Sequence, residues 1–281
     1  LMNIPRPDND DPNHPDPNKR GFDLRGLFEP DPGNSFVVAD FSQIELRIGA
    51  HLSGDVRMIE TYKANGDIHS EAAAALFGLD CSIEQVKKLH GDKRNAAKAF
   101  NFGVFYGAGA NRVASTFNCT KKEAQVYIDN YFTKFPGIRA YREVVEQRAI
   151  ARGHIRSLLG RYRRLPELKK GTRNSAAYYG QLREATNYGC QCGAADIIQS
   201  AMLVADGKYV EWHPLQQTSE LIDIGAKMHL QIHDELVCQA PTEAVEEACK
   251  RLEKVMTNPI PNMKVPIIAE ADSGPTWTDA K

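Results

Sequence analysis

The sequence of 281 residues lacks any apolar run close to the roughly 20 residues that a membrane-spanning helix needs. It also lacks the basic and then apolar layout of a signal peptide at its start, so we expect neither a membrane anchor nor export. Its six cysteines lack the paired spacing of a zinc site, and we expect reduced, packed thiols with no disulfide and no structural zinc. The one biased segment is the proline-rich stretch 1–20, which we interpret as a loop or extended arm.

The total charge is only −1, but the two signs are distributed unevenly along the chain. Residues 86–183 contain 21 Lys and Arg against 6 Asp and Glu, which leaves 14 against 30 elsewhere. A basic block in a neutral chain indicates a surface that follows a polyanion, and the acidic remainder suits a site for divalent cations. The alternative is that these charges only solvate helix surfaces.

An aspartate follows a short apolar run near the start of the chain. Phe36, Val37 and Val38 predict a buried strand that delivers Asp40, and a helix with apolar residues from Ile44 to Leu52 follows at once. A carboxylate at a strand end suits a metal ion. The alternative is that Asp40 only caps the helix.

A second acidic position lies in a predicted hairpin. The apolar runs 227–232 and 236–240 flank His233, Asp234 and Glu235. Asp40 and Asp234 can converge at one edge of a sheet, where they could hold two divalent metal ions about 3.5–4 Å apart. Magnesium is the expected ion because it prefers hard oxygen ligands. The alternative is that the three charged residues are solvent-exposed turn residues.

A helix in the basic block carries an unusual stripe. Arg94, Lys98, Phe102 and Tyr106 recur every four residues and therefore share one face. The cations could hold a triphosphate while the rings stack on a base, which indicates a reader of an incoming nucleotide. A purely structural core helix would explain the aromatic residues but not the two cations.

The remaining pattern predicts mostly helices up to about residue 204. Capping residues Asp67, Ser82 and Thr120 start three of them, and 87–107 is expected as one long segment. The other predictions are a basic hairpin within 153–164, a long helix over 175–204, an irregular connection over 207–224, a helix over 242–256 and a closing strand over 265–271.

Three stretches resemble motifs A, B and C of the family A DNA polymerases, the bacterial DNA polymerase I type. They are Asp40-Phe41-Ser42-Gln43-Ile44-Glu45-Leu46-Arg47, then Arg94-x3-Lys98-x3-Phe102-x3-Tyr106-Gly107, then His233-Asp234-Glu235. The start, Leu1-Met2-Asn3-Ile4-Pro5, is similar to that family's Leu-Gln-Asn-Ile-Pro, and the likeness continues to Trp277.

The resemblance implies an α+β fold, with an antiparallel palm sheet and a helical fingers subdomain, as part of the right-hand polymerase fold. The expected division is palm with motif A over 1–55, fingers with motif B over 56–180, and palm with motif C over 181–281. The implied activity is template-directed addition of dNTPs to a primer 3′-hydroxyl, with two Mg²⁺ ions that Mn²⁺ can replace. The expected location is the cytoplasm of a bacterial or phage-infected cell, with an organelle left open.

The resemblance also assigns a role to individual residues. Asp40, Asp234 and the Phe41 carbonyl would bind metal, with Glu235 in support. Gln43, Glu45, Arg94, Lys98, Phe102 and Tyr106 would contact the nucleotide: Glu45 as the gate against a ribose 2′-hydroxyl, Lys98 also in catalysis, and Tyr106 as the guard of the template position. Phe rather than Tyr at 102 implies discrimination against dideoxynucleotides. Arg183, Asn187 and Gln191 would contact the minor groove of the primer-template, and His233 would lie near the primer terminus.

Family members have a thumb and an exonuclease-like domain before the part that this sequence matches. We therefore expect the chain to be a C-terminal fragment or subunit of a larger polymerase that binds primer-template weakly alone. The stretch 206–225 also looks longer than the usual link before motif C. Two other functions stay open: a single-subunit RNA polymerase, which Glu45 argues against, and a catalytically silent nucleic-acid-binding module, which the Asp40 and Asp234 pair argues against.

Overall fold

The computed structural model describes residues 4, 23–170, 175–215 and 221–280. The expected arm at 1–20, apart from residue 4, and residues 216–220 of the expected connection at 207–224 lie outside the described residues. The chain divides into two compact units. Unit 1 consists of 1–44, 197–263 and 267–281, and unit 2 consists of 45–196 and 264–266.

Unit 1 contains a four-stranded antiparallel sheet in the order β4-β5-β1-β6. Its strands are β1 (Asn34–Phe41), β4 (Lys227–Ile232), β5 (Glu235–Pro241) and β6 (Ala269–Gly274). Helix α10 (Val245–Met256) packs on the sheet through an apolar face that includes Leu252 and Val255. Val37, Val38 and Ala39 are all buried, as expected of an inner strand that is covered on both faces.

Unit 2 is mainly helical. Its helices are α1 (Ile44–Ser53, whose first residue belongs to unit 1), α2 (Val56–Lys63), α3 (Ile68–Phe77), α4 (Ile83–Leu89), α5 (Gly91–Phe105), α6 (Ala110–Phe117), α7 (Lys121–Lys134), α8 (Pro136–Arg152) and most of α9 (Ala176–Ala205). A short hairpin joins β2 (His154–Arg156) to β3 (Tyr162–Arg164). Helix α3 packs against both α5 and α7.

Local sequence signals account for most of the element starts. Asp67 caps α3 by accepting the backbone N–H groups of His69 and Ser70, and Ser82 and Thr120 form capping boxes at α4 and α7. The predicted caps and the basic hairpin are therefore confirmed.

No helix within the described residues is both long and apolar enough to cross a membrane.

Two predicted elements were placed wrongly. The expected segment 87–107 is interrupted at His90, because α4 ends at Leu89 and α5 begins at Gly91. The closing strand covers 269–274 and not 265–271. The apolar residues Val265 and Ile267 are buried without being in a strand, so burial alone produced the misleading pattern.

Candidate active site

The Asp40 and Asp234 backbones meet at one end of the sheet in unit 1. Asp40 is the penultimate residue of β1, and its Cα partner on β5 is Glu235. The Phe41 N–H donates a hydrogen bond to the Asp234 carbonyl oxygen at 3.2 Å. Because α1 begins only at Ile44, Asp40 is not its N-cap. The convergence that the sequence predicted for these two acidic residues is present in the backbone.

The hairpin tip between β4 and β5 is shorter than expected. Ile232 pairs with Glu235, so His233 and Asp234 alone form the two-residue turn. His233 is exposed and has a positive φ of 55°, in the left-handed region that such turns use. The side-chain amide of Gln231 donates to the His233 carbonyl oxygen. Asp234 is therefore presented by a tight, internally bonded turn.

Glu235 is part of the protein interior and not of the tip. Its residue surface is 2% exposed, and its carboxylate accepts a hydrogen bond from Trp277 Nε1 at 2.9 Å. The Arg25 guanidinium lies 3.9 Å from the same carboxylate and 4.3 Å from the centroid of the Trp277 ring. These contacts fix the first residue of β5, directly beside Asp234, so Glu235 can position the turn.

The oxygen atoms of Asp40, Asp234 and Phe41 are of the kind that hard divalent cations prefer. Within the described residues there is no group of three or more His, Cys, Asp and Glu side chains that could hold a metal ion. Two carboxylates and a backbone carbonyl are hard oxygen donors, and Mg²⁺ is usually held by only one or two carboxylates together with water and substrate phosphates. Asp40, Asp234 and the Phe41 carbonyl meet that requirement.

In unit 2, α5 presents the predicted stripe on its accessible side. Arg94, Phe102 and the C-capping Tyr106 are half-buried and Lys98 is exposed, whereas the adjoining side of the helix is buried through Ala97, Phe100, Asn101, Val104 and Phe105. The 3.6-residue period thus separates a core face from a face that carries two cations and two aromatic rings.

Arg94 is held by an acidic residue of α3. Its Nε donates to Asp67 Oδ2 at 2.5 Å and its Nη2 to Asp67 Oδ1 at 3.2 Å. Burial alone would raise the Asp67 pKa, but the hydrogen bonds from Arg94 and Ser70 and the Arg94 charge lower it to about 2. The Arg94 guanidinium is therefore oriented through Nε and Nη2, and its contact with Asp67 does not use Nη1.

His69 joins this group, and sequence analysis missed it. Its Nδ1 lies 2.9 Å from Asn101 Nδ2, and its ring centroid lies 6.3 Å from that of Phe102. The His69 pKa is lowered to about 4: burial is the largest cause, the Asp67 charge opposes it, and the nearby Arg94 and Lys98 charges add to it. With Nδ1 accepting from Asn101, the neutral ring carries its proton on Nε2 and can donate a hydrogen bond. His69 was visible in the sequence only as part of a helix start.

The C-terminal end of α5 contacts α9 within unit 2. With its amide oriented to donate, Asn187 bonds both the Tyr106 and the Arg183 carbonyl oxygens at 3.2 Å. A cleft of about 1010 Å³ is lined by residues that include Phe102, Tyr106, Arg183 and Asn187. The aromatic end of the α5 stripe, Phe102 and Tyr106, thus shares one cleft with Arg183 and Asn187 of α9.

The Arg-x3-Asn-x3-Gln face of α9 also exists as a surface. Arg183, Asn187 and Gln191 line a second groove of about 490 Å³, together with Arg163 and Tyr188. Their spacing predicted a common face, and the shared groove confirms it. Their role towards DNA stays a prediction.

Gln43 and Glu45 fall on either side of the division between the units. Gln43 precedes α1 and has a positive φ of 53°. Glu45 lies in the first turn of α1 and is half-buried. Their predicted contacts with the nucleotide remain predictions.

Together these features define an α+β protein whose antiparallel sheet carries two aspartates at one end and whose helical unit carries a cationic and aromatic stripe. The sequence model of DNA polymerase family A matches residues 1–279, and the chain belongs to this family. The predicted family is thereby confirmed.

Curated relatives and a solved structure are similar to the chain. It is 36% identical over 260 residues to DNA polymerase I of Pseudomonas aeruginosa, and this aligned region covers 92% of this chain and 26% of that protein. It is 38% identical over 264 residues to the thermostable DNA polymerase I of Thermus aquaticus, covering 93% of this chain and 29% of that protein. The chain thus spans less than a third of the length of these relatives.

The fold is also similar to that of the POL domain of Pol1 from M. smegmatis, solved in complex with DNA primer-template and dNTP. The TM-score is 0.83 at 31% identity, over 100% of this chain and 45% of that chain. This similarity confirms the predicted fold class, part of a right-hand polymerase fold. The expected boundaries of palm and fingers stay a prediction.

Proposed function

We propose that this chain carries the catalytic residues of a DNA-directed DNA polymerase and that it acts in the cytoplasm as part of a longer polymerase. The observation that carries the proposal is the pairing of the β1 end with the β4–β5 turn, which brings the Asp40 and Asp234 backbones together. Membership of DNA polymerase family A supports it. The palm residues would lie in 1–55 and 181–281 and the fingers residues in 56–180.

The reaction joins a primer 3′-oxygen to the α-phosphorus of a dNTP. The hydroxyl loses its proton, the new P–O bond forms, and the bond to the β-phosphate breaks so that pyrophosphate leaves. Asp40, Asp234 and the Phe41 carbonyl would hold two Mg²⁺ ions, or Mn²⁺ in their place. When bound, such ions activate the hydroxyl and neutralise charge on the phosphates. Glu235 would hold the turn that presents Asp234.

The α5 stripe would bind the nucleotide. The exposed Lys98 ammonium and the Nη1 group of Arg94, which Asp67 does not hold, would bind the triphosphate, and Lys98 would also neutralise charge on the departing pyrophosphate. Phe102 would stack on the base of the nucleotide, and Tyr106 would guard the template position. Gln43 and Glu45 would contact the sugar of the nucleotide.

The α9 face and His233 would contact the DNA. Arg183, Asn187 and Gln191 line one groove, and their donors and acceptors suit the edges of base pairs in the minor groove. The exposed His233 would lie near the primer terminus.

The test is primer extension by the full protein that carries residues 1–281. Asp40→Ala and Asp234→Ala should each reduce extension by at least about a thousandfold, because each removes a ligand whose charge stabilisation is worth several kcal/mol. Asp272→Ala, at an exposed position of the neighbouring strand β6, is the matched control and should extend normally.

Undiminished extension by either aspartate variant would contradict the proposed mechanism. Binding of primer-template without any extension by the unaltered protein would favour the silent binding module. Preference for rNTPs over dNTPs would favour an RNA polymerase.

A further inference from the structure

The β2–β3 hairpin has two faces of different character. Since side chains alternate along a strand, Ile155 and Arg163 share one face. Ile155 packs against an apolar cluster that includes Ala185 of α9, and Arg163 bonds Glu184 of α9. This face therefore covers α9. The other face, which carries His154, Arg156, Tyr162 and Arg164, points away from it.

The end of α8 extends this outward face. Arg148 and Arg152 are exposed and one turn apart, so they lie on the same side of the helix. They line a shallow pocket of about 140 Å³ together with His154, Ile155 and Arg156. That volume is well below the roughly 300–1,000 Å³ of pockets that enclose whole small molecules. The pocket has room for a group the size of a phosphate.

Within the part of the chain that the structure describes, the arginines of the outward face differ from their neighbours in having no acidic partner. Arg142 of α8 pairs with Glu146, and Arg161, in the hairpin loop, pairs with Asp196 of α9. Among the described residues, no ion pair is formed by any of the outward arginines, which are Arg148, Arg152, Arg156 and Arg164. A helix C-terminus favours cations, but this reason applies to α8 and not to the two hairpin arginines.

Two aromatic rings lie among these cations. Tyr162 is 56% exposed, and the Arg156 guanidinium lies 4.3 Å from its ring centroid. The His154 ring centroid lies 5.0 Å from that of Tyr162. Exposed rings interleaved with arginines are typical of surfaces on which unpaired bases stack while their phosphates are bound.

We propose that this outward face, consisting of Arg148, Arg152, His154, Arg156, Tyr162 and Arg164, binds a single-stranded DNA segment. The arginines bind successive phosphates, and Tyr162 stacks on a base. The strand is single because the bases of a duplex are already stacked on one another and offer no face to Tyr162. The site lies on the other face of the hairpin from Arg163, which lines the α9 groove, so it takes a different DNA segment from that groove.

The test is binding of a fluorescent oligothymidylate to the full protein, measured by anisotropy over a salt series. The variant Arg152→Gln, Arg156→Gln, Arg164→Gln should bind at least tenfold more weakly. It should also reduce the log-log salt slope by about 2, since each phosphate contact on a single strand contributes about 0.7. The matched control, Lys63→Gln, Lys87→Gln, Lys88→Gln, removes three exposed charges elsewhere in unit 2 and should leave the slope nearly unchanged.

A second pair of variants tests the stacking. Tyr162→Ala should weaken binding about fivefold or more, whereas Tyr162→Phe keeps the ring and should bind normally. Equal losses in the arginine set and the lysine set would overturn the proposal, because the effect would then be one of total charge. Tight binding of polyglutamate without an effect of Tyr162→Ala would also overturn it, since it would indicate an acidic protein as the ligand. Because binding is measured without synthesis, failure here is distinguishable from failure of the proposed polymerase activity.

Discussion

The Arg94 guanidinium holds the Asp67 carboxylate through two hydrogen bonds, while the same carboxylate caps α3. One acidic side chain thus orients a cation of the proposed triphosphate site and starts the helix that packs against α5. Because the side chains of both residues are only 23% exposed, the interaction is poorly screened by water.

Asp67→Asn should keep the helix cap and lose the ion pair. The folded pKa of Asp67 is about 2 and its ordinary value is 3.8, so its stabilising effect is complete above about pH 4 and is lost as the pH falls through 2. We expect the unaltered protein to exceed the variant by about 2 kcal/mol in free energy of unfolding at pH 7. Denaturant unfolding between pH 7 and pH 2 measures this difference. A difference that does not change with pH would contradict the assignment.

Glu235→Gln should show whether Glu235 positions the β4–β5 turn or binds the metal ion itself. The amide can still accept from Trp277 Nε1 but no longer balances the Arg25 charge, so we expect a loss of about 1–3 kcal/mol in stability. The Mg²⁺ concentration for half-maximal extension should stay as in the unaltered protein. Asp234→Asn, the comparison variant, should raise it strongly. If both variants raise it equally, Glu235 is a metal ligand.

Tyr106→Phe should stabilise the protein. The Tyr106 hydroxyl is buried and has no hydrogen-bond partner among the described residues, and such a group costs about 1–3 kcal/mol. We expect the free energy of unfolding to rise by about 1 kcal/mol. A fall in stability on denaturant unfolding would show that the hydroxyl has a partner in solution.

Gly107→Ala should lower the free energy of unfolding by more than backbone strain alone would. Gly107 has a φ of +85°, and a methyl group there would lie 3.1 Å from Arg183 Cγ. Gly78 has a φ of +60° with nothing within 4 Å, so Gly78→Ala measures the strain of roughly 1–2 kcal/mol by itself. We expect Gly107→Ala to lose more stability than this control and to weaken binding of primer-template, because Arg183 must move. Equal losses of stability in the two variants would show that the Arg183 side chain moves aside without an energetic penalty.

Glu45→Ala should admit ribonucleotides if Glu45 is the sugar gate. We expect the preference for dNTPs over rNTPs in primer extension to fall at least tenfold. Glu60→Ala, at an exposed position of α2, is the matched control and should keep the preference. An unchanged preference in the Glu45 variant would remove Glu45 from this role.

Short-range signals in the sequence predicted most of the elements and several site residues. The caps at Asp67 and Thr120 were predictable because a side chain and the backbone two or three residues on decide them. The stripe on α5 was predictable because a fixed period places Arg94 to Phe102 on one side of a helix.

Contacts between distant residues were not predictable in this way. Asp67 and Arg94 are 27 residues apart, and their pairing depends on how α3 packs against α5. His69 was missed for the same reason, since its partners Asn101 and Phe102 lie on α5. The closing strand was predicted at the wrong position because the exposed polar residues of 269–274 resemble a loop. Pairing with β1 makes this segment a strand.

The place of β1 inside its sheet determines how the sequence around Asp40, a proposed metal ligand, can vary. Asp40 is aligned with Glu235 on one side and with Glu270 on the other. A shift of β1 by one residue would break its hydrogen-bond ladders with β5 and β6 at once and turn the Asp40 side chain to the opposite face of the sheet. By contrast, β4 is an edge strand with an irregular register at 228–230, and β5 separates it from β1. Insertions and deletions upstream of β4 can therefore accumulate at the sheet edge while Asp40 keeps its place.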